Sequence, residues 1–89
     1  MSIDEAVFSI APNPCGSKAV ISITLKNGTE FNLSLLDLAG KKLSGIERGK
    51  MKGSVYETEF DVSNLSEGVY VCRLETETGV SYHKLVVSR

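Results

Sequence analysis

Apolar and polar residues alternate in short runs along the chain, and Gly, Pro, Asn and Asp punctuate the gaps between them. In 19–25 the residues Ala19, Ile21, Ile23 and Leu25 fall on one face. In the following run Phe31, Leu33 and Leu35 point inward while Asn32 and Ser34 point outward. The cleanest alternation is 55–62, with Tyr56, Thr58, Phe60 and Val62 on one side and Glu57, Glu59 and Asp61 on the other. A period of two is the mark of a half-buried β-strand, because successive side chains leave opposite faces of the pleat. Residues 69–75 repeat the pattern with Tyr70, Cys72 and Leu74 inward, and Thr78-Gly79 closes a hairpin into 80–87. No stretch shows sustained helical periodicity.

The turns refine this picture. A short first strand over 6–10 runs into Pro12 and Pro14, which fix φ twice and remove two amide donors; Ala11 and Asn13 are pushed toward extended geometry. A ladder cannot continue through them, so this segment should kink or cross between sheets at an edge. Asn27-Gly28 has the composition of a two-residue type I′ hairpin turn. Asp37-Leu38-Ala39-Gly40 predicts a tight turn into a polar edge strand at Lys41-Lys42-Leu43, and Gly45, Gly49 and Gly53 predict a long mobile loop over 45–53. Leu65-x-x-Gly68-x-Tyr70 has the spacing of a tyrosine corner, in which the hydroxyl reaches back to backbone just upstream and Gly68 permits a positive φ. Seven short strands without a helix read as all-β, an immunoglobulin-like Greek-key β-sandwich of antiparallel strands.

With 89 residues, the chain is expected to be one domain over 1–89, burying only about 60–65% of its unfolded surface. A net charge of −1 supplies no general attraction to nucleic acid or anionic membrane, and no apolar run approaches the ~20 residues of a bilayer span. No cationic and apolar leader is visible. A secreted form would therefore be expected as a fragment of a longer precursor, with Met1 an expression start. Charge is uneven: five basic residues stand against Glu47 in 41–52, and six acidic residues stand against Arg73 in 57–77. Two neighbouring solvated strands that complement each other are favoured over a ligand patch, with a basic loop meeting lipopolysaccharide as the minor idea.

Candidate chemistry is sparse. Cys72 follows Tyr70 by two residues, as the second cysteine of an immunoglobulin domain does, but Cys15 lies before the strand that should carry its partner. Two unpaired structural thiols are favoured over a Cys15–Cys72 bridge, and Cys-x-x-Cys zinc spacing is absent. His83, the single histidine, sits in a strand; Ser81 and Tyr82 are adjacent, but successive strand residues point to opposite faces, and a half-exposed strand histidine is favoured over a nucleophile–base pair. Asp37-x-x-Gly40 matches the switch tetrapeptide of GTPases, but no phosphate-binding loop accompanies it, so it reads as a turn. The row Glu57, Glu59, Asp61 lines one face instead of wrapping a calcium ion. With no Trp, three Tyr and three Phe, few aromatics remain to stack on a sugar. The Asn-x-Ser/Thr triplets at Asn27, Asn32 and Asn64 are glycan acceptors only in a eukaryotic secretory context.

Read in order, three motifs resemble the type A C-terminal sorting domain of bacterial type IX secretion cargo. They are Ala11-Pro12-Asn13-Pro14, Leu35-Leu36-Asp37-Leu38-Ala39-Gly40-Lys41 and the Leu65/Gly68/Tyr70 corner, followed by the terminal strand Lys84-Leu85-Val86-Val87-Ser88-Arg89. The resemblance covers about residues 8–89. It departs from the family at Ala11, where an aromatic is common, and at the two cysteines. It implies a non-catalytic module without cofactor at the C-terminus of a larger exported cargo. Implied partners are the outer-membrane translocation machinery and a sortase-like peptidase that removes the domain and links the cargo to surface lipopolysaccharide. The route it implies passes through the periplasm to the cell surface or medium. Lys84, Leu85, Val86, Val87 and Arg89 are the implied recognition residues, on an edge strand whose free amides and carbonyls would suit strand addition or groove capture. The other reading is an accessory fibronectin-like or carbohydrate-binding sandwich inside a secreted enzyme.

Overall fold

The computed structural model describes residues 7–88, in seven strands with no helix. They are β1 (Val7–Ala11), β2 (Lys18–Thr24), β3 (Glu30–Leu36), β4 (Lys42–Lys50), β5 (Val55–Asp61), β6 (Gly68–Thr76) and β7 (Gly79–Val87). One sheet has the order β1-β2-β5 and the other β4-β3-β6-β7, with every neighbouring pair antiparallel. The alternation read from the sequence is what closes the sandwich. Ile21, Ile23, Leu33, Leu35, Cys72, Leu74 and Leu85 are all but fully buried between the sheets, and Val62 joins them just past β5. Phe8, Ile46, Tyr56, Phe60, Leu65 and Tyr70 pack around that core from the rim.

Several local expectations yield to the tertiary arrangement. Asn27-Gly28 does not close a hairpin, because β2 and β3 belong to different sheets. Only Gly28 has positive φ (84°); the Asn27 side chain instead accepts a hydrogen bond from the Gly53 amide at 2.9 Å. The Gly28 amide donates to Met51, and the Met51 amide to Thr29, so two loops are tied together across the end of the sandwich. The predicted mobile loop over 45–53 is also corrected. Its first part is β4, paired with β3 through two register shifts, and Met51 is 3% exposed. Ile46 anchors this edge strand in the core, which outweighs the backbone freedom of Gly45 and Gly49.

Two further differences concern polar residues. Ser34 is outward-facing yet 1% exposed, standing between Gly45 and Arg73 in cross-strand register, and Leu36 is buried on the same outer face. The basic and acidic strands do not pair as expected: β4 lies against β3, and β5 against β2 in the other sheet. Glu59 meets Lys18 at 3.6 Å and Glu57 accepts a hydrogen bond from Ser22, both at the exposed surface.

Candidate functional site

The terminal strand β7 borders its sheet, yet the last part of its outer edge is occupied. The 12–16 segment leaves β1, crosses to the other sheet and runs beside the end of β7 before returning to β2, as two prolines in a strand-breaking position require. Asn13 lies exposed between Pro12 and Pro14, both of which follow cis peptide bonds. Its side-chain amide donates to the Lys84 carbonyl at 2.9 Å, and its side-chain carbonyl accepts from the Val86 amide at 2.8 Å. The backbone then takes over. The Cys15 amide donates to Val86 and the Ser88 amide to Cys15, each at 2.9 Å, making a parallel bridge between Cys15 and Val87. Strand addition along Lys84–Ser88, anticipated for an open edge, is thus already satisfied from within the chain. Among the described residues, alternation leaves the edge-facing groups of Val80 and Tyr82 as the part of β7 without a strand alongside.

The same strand sorts its side chains by face. Leu85 is 0% and Val87 2% exposed, so both are core residues, whereas Lys84 is exposed and Val86 half-buried on the outer face of the sheet. Arg89 lies outside the described residues. His83 is half-buried where β7 meets β1. Its Nδ1 donates to the Lys84 carbonyl at 2.9 Å, and its ring lies 5.4 Å from that of Phe8. What His83 meets is therefore a carbonyl and a ring, which orient an imidazole without activating it.

The two other motifs are local devices. Tyr70 donates its hydroxyl to the Ser66 carbonyl at 2.6 Å, while Leu65 tucks into the rim of the core and Gly68 holds φ at +152°. This is the geometry of a tyrosine corner at the β5–β6 connection. At the other turn, Asp37 Oδ1 accepts from the amides of Ala39 and Lys41, both at 2.9 Å, and Gly40 takes φ +89°. A side chain that folds back on amides two and four residues ahead organises the turn without any phosphate. Asp61 acts similarly on Ser63, and those hydrogen bonds from Ser63 hold its carboxyl below the usual range.

No disulfide joins Cys15 and Cys72; both are buried, and the Cys15 thiol donates to the Val86 carbonyl at 3.4 Å. Burial pushes the Cys72 thiol up to about 12, with the nearby Cys15 adding to the rise, so neither the position nor the protonation state suits a nucleophile. Among the described residues no three of His, Cys, Asp or Glu stand together in a way that could hold a metal ion. A shallow depression of about 440 Å³ at the end of β3, β4 and β6 is bordered by Glu30, Arg48, Lys50, Glu75 and Glu77, a mixed-charge rim with Phe31 below.

The fold is an immunoglobulin-like sandwich whose distinctive parts are an asparagine-sealed terminal strand, an aspartate-organised turn and a tyrosine corner. The family model of the secretion system C-terminal sorting domain matches residues 9–88, and the chain belongs to that family. A search of the curated proteins found no match. Membership makes the domain a sorting signal of type IX secretion. Such a signal is non-catalytic, interacts with that secretion machinery, and is attached to an upstream cargo that is secreted or displayed at the cell surface.

Proposed function

We propose that residues 1–89 form one unit at the C-terminus of a larger precursor. The folded domain is read in the periplasm and directs the cargo across the outer membrane. A sortase-like peptidase then removes it and joins the cargo to surface lipopolysaccharide. The observation that carries the reading is the family match over 9–88, which spans every strand of the sandwich except the first residues of β1. Within it, we assign the recognition to the outward residues of the terminal strand, Lys84 and Val86, presented by an edge that Asn13 holds in place. Leu85 and Val87 support this surface from the core, and Arg89 is counted with the recognition residues by sequence alone.

The test is a passenger protein with an export signal, fused to the whole domain and expressed in a host with type IX machinery. Wild type is compared with Lys84→Glu, Val86→Ser, Arg89→Ala and a chain lacking 85–89, each with a circular dichroism melt. Lys84→Glu and Val86→Ser should stay folded and leave the passenger in the periplasm. The truncation removes Leu85 and Val87 from the core and should fail by unfolding. Folded Lys84→Glu and Val86→Ser domains that still deliver the passenger to the surface would rule out the assigned recognition surface. Retention of the wild-type fusion would count against the sorting role itself.

A further inference from the structure

The two sheets end in four edges, and the two sides of the sandwich differ. On one side β1 and β7 touch, Phe8 covers His83, and Asn13 with Cys15 seals the end of β7. On the other side β4 and β5 form the edges of their respective sheets, and among the described residues neither has a second strand neighbour. Leu43 on β4 and Val55 on β5 are left 43% and 57% exposed there.

We infer that this side binds a second copy of the chain, β4 of each copy pairing with β5 of the other. Direction permits it. The turn at 51–54 reverses the chain between β4 and β5, so the two edges run oppositely within one molecule. A two-fold axis along the strands then sets β4 antiparallel to the partner copy's β5, twice over, and continues each sheet into a sheet of the other copy. Heights agree as well, since the 47–50 end of β4 and the start of β5 both lie beside that turn.

Charge selects this pairing over the alternatives. Lys42, Arg48 and Lys50 stand opposite Leu36, Asn32 and Glu30 of β3, which places them on the outer face of their sheet. Glu57, Glu59 and Asp61 occupy the outer face of β5. In the paired arrangement these two faces become one continuous surface, and the bases of one copy become cross-strand neighbours of the acids of the other. Like charge opposes β4 on β4 and β5 on β5, so each edge is guarded against itself and open to its complement. The register shifts kink the 42–46 part of β4, which leaves Arg48 and Lys50 on its regular end, facing Glu57 and Glu59. The present partners of those acids, Lys18 and Ser22, are exposed surface contacts of the kind that exchange readily.

Sedimentation velocity on the whole chain tests the inference. The wild type should form a dimer that weakens about tenfold or more between ~0.05 M and ~0.5 M salt, as close surface charges are screened. Glu57→Lys/Glu59→Lys and Arg48→Glu/Lys50→Glu should each be monomeric, with wild-type melting curves. An equimolar mixture of the two should form a dimer again, because every edge then meets its opposite. If a reversal disturbs the fold, Glu57→Gln/Glu59→Gln replaces it, with weakened dimerisation expected. A wild-type chain that stays monomeric at low salt up to millimolar concentration overturns the inference. So does a dimer that both reversed variants retain, or a mixture of the two variants that stays monomeric.

Discussion

The side chain of Asn13 stands against Val86 where the backbone of a neighbouring strand would stand, accepting its amide at 2.8 Å while donating to the Lys84 carbonyl at 2.9 Å. An asparagine side chain carries the same donor and acceptor as a peptide group, so one residue between two prolines closes an edge that the prolines themselves cannot pair. Asn13→Ala should cost about 1–2 kcal/mol in denaturant melts, and hydrogen exchange at the Val86 amide should accelerate markedly. Asn13→Asp should not rescue it, because the group facing the Lys84 carbonyl becomes a second acceptor. Unchanged protection of Val86 in Asn13→Ala would show that the edge is closed without this side chain.

Tyr70 and Gly68 form the corner between β5 and β6. Tyr70→Phe keeps the ring and removes the bond to Ser66, which predicts a loss of roughly 1–2 kcal/mol. Gly68→Val should cost more, since φ is +152° and a β-branched side chain is strongly disfavoured there. Equal melts for Gly68→Val and the wild type would contradict this backbone geometry.

Asp37 makes its turn through an acceptor, and its charge is incidental to that. Asp37→Ala should lose about 1–2 kcal/mol, whereas Asp37→Asn should retain most of the stability because an oxygen still faces the amides of Ala39 and Lys41. If Asp37→Asn were as unstable as Asp37→Ala, the negative charge would be the essential element.

The thiols give a pH signature. Cys72 is held neutral in the folded domain up to about 12, against 9.0 for the unperturbed group. Above pH 9 the unfolded chain releases this proton while the folded chain keeps it, so stability falls with rising pH from about 9 toward 12. Cys72→Ala should flatten that decline while lowering stability near neutrality through the lost packing. In the native wild type at pH 8, Cys15 and Cys72 should both resist a thiol-reactive dye and both react once denaturant is added. Rapid native labelling of Cys72 would contradict its burial.

Much of this domain was legible from near neighbours in the chain. The inward set Ile21, Ile23, Leu33, Leu35, Cys72 and Leu74 follows from a pleat of period two, whatever the strands later join. The Tyr70–Ser66 and Asp37–Lys41 bonds span four residues each, and glycine at the required φ completes both turns. Such features depend on local covalent geometry, and a short window of sequence contains all of it.

What only the tertiary structure decided was sheet membership and everything that follows from it. Asn27-Gly28 has hairpin chemistry, yet β2 and β3 part into different sheets because each buries its apolar face against the other layer. Gly45 and Gly49 look like loop residues, yet Ile46 binds their segment to the core as β4. Asn13 reaches a strand 73 residues away, and the basic and acidic strands come to rest on separate sheets along one side of the sandwich. Alternation tells a strand which face is apolar; it does not specify which strand lies alongside it. That choice belongs to the packing of two layers at once, and it is made by contacts between residues distant in the chain.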